Sequence, residues 1–288
     1  MVEHLGGKVV FCDIDLGTFN IDIDQIESKI TSKTKAIFPV HLFGLSADMD
    51  PILELAHKHN LFVVEDAACG FGSKYKGRHV GNFGDTGCFS FHPRKAITTG
   101  EGGMVTTNDS NLADKIRRLR DHGAAMSDLQ RHLGARPYLL SDHPDAGYNQ
   151  RMTDLQAALG ISQLRRLDEF VAARHRLADR YDEELSSLPL KLPTRSPDAR
   201  SALHLYPIQV QQNRKEIFTA LRDAEIGVSV HYIPIHLQPD YARYGFKEGD
   251  FPEAEAYYKG AISLPMFSSL RDQDQDYVIS RLKLALEL

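Results

Sequence analysis

Cysteine is scarce in this chain. Cys12, Cys69 and Cys88 are too few and too scattered across 288 residues for a disulfide framework, and no CxxC pair marks a zinc site. A reducing, cytoplasmic setting is the expectation. Long apolar runs are missing as well: no window approaches eighteen apolar residues, and the amino terminus, MVEHLGGKVV, has no charged stretch leading into an apolar one. Neither a membrane span nor a secretory signal is expected. An excess of one charge is also lacking, because 34 Lys and Arg stand against 39 Asp and Glu and basic residues run no further than pairs such as Arg117 and Arg118. Nucleic acid is therefore not an expected partner. Internal repeats and low-complexity tracts are absent. What remains is an ordinary globular composition, 42% hydrophobic and 25% charged, in a chain long enough for one large domain or two.

The first two-fifths alternate compact apolar runs with amphipathic ones. Lys8–Asp13, Ala36–Val40, Leu61–Glu65, Gly87–Ser90 and Met104–Thr107 read as strands, while IDQIESKI and DPILELAHKH read as helices between them. This rhythm predicts an α/β fold with a mostly parallel sheet flanked by helices. From Thr153 to Leu185 the pattern is almost continuously helical, opened by a good Thr153 cap, and reads as one long connecting helix. SSLPLKLPTRSPDARS, rich in proline and serine, reads as a linker. Beyond it come a strand (LHLYPIQV), a helix (RKEIFTALRDAE) stopped at Gly227, a strand (VSVHY) and a final helix capped near Asp272. The expected organisation is a large domain over residues 1–152, the connecting helix over 153–185 and a small α+β domain over 186–288.

In parallel sheets of this kind, ligands sit beyond the carboxyl ends of the strands. Asp66 follows one strand, Ser90 ends another, and Lys95 lies five positions on, in a turn bracketed by Gly100, Gly102 and Gly103. Singly, each has an ordinary use as a cap, a turn former or a solvated charge. Together at one sheet edge they describe a site for an anionic aromatic cofactor. The lysine can form an imine, the hydroxyl and glycine amides can hold a phosphate, and the carboxylate can keep a pyridine nitrogen protonated.

The stretch EDAACGFGSKYKGRHVGNFGDTGCFSFHPRKAITTGEGGMVTT resembles the core of the DegT/DnrJ/StrS family, pyridoxal-phosphate-dependent sugar aminotransferases of fold type I. The likeness continues through DIDLGTFNID, TKAIFPVHLFG, GYNQRMTDLQAALGISQL, VSVHYIPIHLQPDY and AISLPMFSSL, in the family's order. It implies that Lys95 is the Schiff-base lysine, Asp66 the partner of the pyridine nitrogen, Ser90 a phosphate ligand, and Asn149 an asparagine reaching the phosphate of the other subunit in a homodimer. At Cys69 many relatives carry glutamine or histidine against the ring hydroxyl, and cysteine is a weaker partner for that contact. His231, Tyr232 and His236 fall in the small-domain segment that faces the active site, where substrate contact or packing is expected. With no carboxylate or third histidine at ligand spacing, no metal is expected there. The implied substrates are a nucleotide-linked keto sugar and an amino donor, glutamate. The alternatives are a catalytically silent homologue serving as a binding or assembly subunit, and a sugar dehydratase of the same fold, which has histidine where this chain has Lys95.

MVEHLGGKVVF reads as the end of a helix, stopped at Gly6 and running into a strand, yet five residues cannot hold a helix alone. Relatives begin upstream with a glycine- and hydroxyl-rich helix start for the phosphate and an aromatic ring that stacks on the cofactor. The expectation is a chain without that segment, which binds cofactor weakly and exposes apolar surface near Val9 and Phe11.

Overall fold

The computed structural model describes residues 2–126, 128–133 and 141–287. Its strands are β1 (Ala36–Ile37), β2 (Phe62–Asp66), β3 (Lys74–Tyr75), β4 (Arg78–His79), β5 (Thr86–Ser90), β6 (Gly103–Thr106), β7 (Leu190–Lys191), β8 (Ala199–Arg200), β9 (Tyr206–Val210) and β10 (Ala261–Leu264). Its helices are α1 (Ile23–Lys29), α2 (Met49–His59), α3 (Ser110–Leu119), α4 (Asp128–Leu133), α5 (Asp154–Leu164), α6 (Leu167–Leu185), α7 (Arg214–Asp223), α8 (Pro239–Ala242), α9 (Pro252–Gly260) and α10 (Asp272–Ala285). No helix among the described residues is long and apolar enough to cross a membrane.

The main sheet runs in the order β1-β2-β5-β6, with β1, β2 and β5 parallel and β6 antiparallel at the edge. Val63 of β2 is buried in one cluster with Ile37, Met49, Ile52 and Tyr75, so α2 and the hairpin of β3 and β4 share one core with the sheet. A separate sheet, β10-β9-β7, is antiparallel. Its core contains Tyr206, Ile208, Ile262 and Leu282, with Leu177, Tyr181 and Leu185 from α6. Full burial of a side chain of this size is worth about 1.5–3 kcal/mol, so α6 is anchored to the carboxyl-terminal sheet.

Several expectations change in the folded chain. Lys8–Asp13 forms no strand: Phe11 sits among the rings of Tyr241, Phe246 and Phe251 rather than in a sheet, while Val10 beside it is exposed, as expected of the apolar surface there. Asp13, buried, accepts hydrogen bonds from the N–H groups of Glu253 and Ala254 at 2.9 Å each, capping the first turn of α9. Gly6 does stop a short 3-10 turn, at φ 76°. The Thr153 cap is a full capping box with Gln156, but the helix it opens ends at Leu164, and α6 starts anew at Leu167. Pro39, which has no N–H, shortens the first strand to two residues, although Val40 still bridges to Asp66. The helix expected to stop at Gly227 ends earlier, with Glu225 in the left-handed conformation at φ 59°. VSVHY makes a single bridge, Ser229 to Ser263. The last helix does start where expected, with Arg271 at the cap position and Asp272 as its first residue. The expected linker supplies β7 to the small sheet and β8 to β3.

Candidate active site

Parallel pairing sets the site. Asp66 stands at the carboxyl end of β2, opposite Cys88 of β5, and Ser90 ends β5 two residues further on. The chain then enters a loop that returns as β6. Thr99 N–H and Thr98 Oγ1 both donate to the Phe91 carbonyl at 3.0 Å, and Phe91 N–H donates to the Gly102 carbonyl at 2.9 Å. The two threonines and the glycines thus close the loop at its base and leave Lys95 at its far side. A side chain at Gly103 would come within 2.7 Å of the Phe89 carbonyl, which accounts for glycine there.

From that loop Lys95 Nζ reaches Cys69 Sγ at 3.1 Å and forms no ion pair among the described residues. Burial pushes the Cys69 thiol up, Lys95 opposes that rise and Asp66 adds to it, so amine, thiol and carboxylate share one crevice. Asp66 Oδ1 accepts from the Ala68 N–H at 3.0 Å, which fixes the carboxylate relative to the turn after β2. Ser90 Oγ accepts from the His92 N–H at 3.4 Å.

The carboxyl-terminal part supplies the other wall. His231 is lowered by burial and by the charges of Arg94 and Lys95, and its Nδ1 lies 2.8 Å from Ser263 Oγ. Tyr232 is raised by burial and by Cys69, and its ring stacks on Phe43 with centroids 6.4 Å apart. His236 is committed elsewhere: it is buried, with Nε2 2.9 Å from Glu255 Oε1 and its ring against Phe251. Asn149 is exposed, on a segment held by main-chain bonds to residues 119–122, and none of its contacts reaches the Lys95 group.

Sequence reasoning missed His204. Its ring is buried, its pKa is pushed down to about 3 by burial and then by Lys95, Arg174 and His231, and Nδ1 has no partner. Its backbone is clamped between the Phe43 carbonyl, which accepts from its N–H at 2.9 Å, and Arg174 Nη1, which donates to its carbonyl at 3.2 Å. A histidine inside the apolar run LHLYPIQV was the available signal.

The donor set suits pyridoxal phosphate: an amine without a carboxylate partner, a carboxylate at a strand end, a hydroxyl on the next strand and a buried imidazole nitrogen awaiting a partner. Among the described residues no group of three His, Cys, Asp or Glu side chains is arranged to hold a metal ion.

Residues 1–283 match the model of the DegT/DnrJ/EryC1/StrS aminotransferase family. The chain is 45% identical over 290 residues to the spore coat polysaccharide biosynthesis protein SpsC of Bacillus subtilis, covering 98% of this chain and 74% of that one. To the GDP-perosamine synthase of Caulobacter vibrioides it is 39% identical over 287 residues, covering 98% of this chain and 74% of the relative. Among solved structures, the putative sugar aminotransferase Spr1654 of Streptococcus pneumoniae in its PMP form superposes with a TM-score of 0.92 at 31% identity, covering 99% of this chain and 78% of that one.

Proposed function

The chain belongs to the DegT/DnrJ/EryC1/StrS aminotransferase family, and on that premise we propose that it transfers an amino group from glutamate to a keto sugar carried by a nucleotide. Its similarity to a GDP-perosamine synthase supports a nucleotide-linked acceptor. The observation that carries the reading is the Lys95 amine, which has no ion pair among the described residues and lies 3.1 Å from Cys69, near Asp66.

Pyridoxal phosphate, the family's cofactor, supplies an electron sink and a temporary carrier for the amino group. Lys95 Nζ would hold it covalently and, as a free amine, would carry the proton at the reacting carbon. The Asp66 carboxylate would keep a proton on the ring nitrogen. Ser90 Oγ would donate to the phosphate, and the Cys69 thiol would serve the ring hydroxyl. His231 and Tyr232 face the substrate from the carboxyl-terminal wall. Overall the donor's C–N bond is exchanged for a carbonyl, leaving a keto acid, while the sugar's carbonyl becomes an amine.

The active unit in this reading is a cytoplasmic homodimer. Leu155, Leu159, Ile161 and Leu164 are exposed around the circumference of α5, which buries none of its residues, and exposed Tyr148 and Asn149 lie just before it. A patch of this kind marks an interface, and a second copy covering it brings Asn149 to the neighbouring phosphate. The test is to incubate the protein with pyridoxal phosphate, reduce with borohydride and locate the modified residue by mass spectrometry. Modification of Lys95, with release of 2-oxoglutarate from glutamate when a nucleotide keto sugar is added, is the expected result. A label on other lysines only, or no label, would overturn the reading.

A further inference from the structure

His41 and Glu65 form a fully buried pair behind the cofactor crevice, with Nε2 3.0 Å from Oε2. The imidazole's tautomer follows from its other contact. Nδ1 accepts from the Ala47 N–H at 3.1 Å, so the proton sits on Nε2 and is donated to Glu65. Glu65 also accepts from the N–H groups of Gly81 at 2.6 Å, and of Phe83 and Gly84 at 2.7 Å each. Burial alone raises its pKa, but hydrogen bonds from His41, Gly84 and Gly81 outweigh that and the carboxyl titrates below its ordinary value. The pair is therefore a fully satisfied buried anion, not a strained one.

Its neighbour in sequence is Asp66. Successive strand residues point to opposite faces, so Glu65 directed into the core leaves Asp66 directed to the other face of β2. His41 grips both residues: its imidazole holds the Glu65 side chain, and its backbone N–H donates to the Asp66 carbonyl at 3.0 Å. The Asp66 N–H is held in turn by the Pro39 carbonyl at 2.9 Å. We propose that His41, acting through Glu65 and the main chain of residue 66, is the positioning residue that aims the Asp66 carboxylate at the cofactor's ring nitrogen. A loose Asp66 would still be present but would meet that nitrogen off line, and a misplacement of about 1 Å at a reacting centre is enough to cost on the order of 10²-fold.

The inference rests on Asp66 serving pyridoxal phosphate, and a double-mutant cycle separates the two ideas. Pyridoxal phosphate is titrated by absorbance into the wild type, His41→Leu, Asp66→Asn and the double variant, with circular dichroism confirming the fold of each. Acting through Asp66, His41→Leu is expected to weaken cofactor binding by roughly 10- to 100-fold in the wild-type background and by less than about 3-fold beside Asp66→Asn. An equal loss in both backgrounds, or none in either, overturns the positioning role. A wild type that takes up no cofactor overturns the reading of the site as well. If His41→Leu does not fold, His41→Gln and His41→Asn carry the same test at two side-chain lengths: glutamine, long enough to donate to Glu65, is expected to retain affinity and asparagine to lose it. Loss of affinity by both, or by neither, speaks against the proposal.

Discussion

Replacing His204 with leucine isolates a liability that the fold carries below neutral pH. The imidazole is 6% exposed, and burial followed by the charges of Lys95, Arg174 and His231 pushes its pKa from 6.5 down to about 3. Between those values the unfolded chain binds a proton that the folded chain refuses. Stability from this group is therefore intact above 6.5 and is lost as pH falls toward 3. One proton corresponds to about 1.4 kcal/mol per pH unit, so moving from about pH 6.5 to about pH 5 removes roughly 2 kcal/mol. Leucine fills a similar volume, has nothing to titrate and removes the orphaned Nδ1, whose burial without a partner costs about 1–3 kcal/mol. Urea unfolding of both proteins at about pH 7 and about pH 5 reads the effect. The difference between the proteins is the quantity to follow, because His175 and His231 are lowered in both. The variant is expected to gain about 2 kcal/mol on the wild type over that interval. Parallel pH profiles would refute the buried, neutral assignment of His204.

Asp66→Asn is expected to slow single-turnover amino transfer by about 10² to 10⁴-fold, as loss of an acid-base group does, and an unchanged rate would assign the ring nitrogen to another partner. Asp13→Ala strips the cap from α9 and leaves the N–H groups of Glu253 and Ala254 unpaired. The cost is about 2–4 kcal/mol, seen in calorimetry as a fall in Tm of roughly 3–7 °C, and a shift under about 1 °C would mean that solvent replaces the cap. Mixing Lys95→Ala with Asn149→Ala protein is expected to restore activity through one intact site in each mixed dimer. No recovery on mixing would remove Asn149 from the neighbour's site.

The parallel strands were legible because LFVVE and GCFS are short, β-rich runs bounded by polar residues. Asp66 and Ser90 at their ends, and the tied loop of Lys95, were legible for the same reason. KVVFCD carries a similar pattern but lacks a sheet partner, and aromatic neighbours more than 200 residues away claim Phe11 instead. The break between α5 and α6 at Arg165 and Arg166 has no glycine or proline to announce it. His41, Glu65 and His204 were invisible as a site because each lies in a run whose periodicity says only strand or core. What distinguishes them is the partner each meets across the fold, or the partner that Nδ1 of His204 lacks.

The strap between α6 and β9 also dictates how these enzymes can be recombined. A chimera cut at about residue 186, where the helix ends, would set β8 against a foreign β3, although Lys74 and Tyr75 of β3 are its register partners. The same cut would part Lys191 Nζ from the Leu16 carbonyl at 2.6 Å and Ala202 N–H from Ser73 Oγ at 2.9 Å. Ser73 Oγ in turn donates to the Gly44 carbonyl at 2.5 Å, next to Phe43, so a mismatched graft disturbs the ring that stacks on Tyr232. Exchange of residues 186–288 between relatives therefore requires that the recipient's turn at Leu16 and its hairpin of β3 and β4 match the incoming segment.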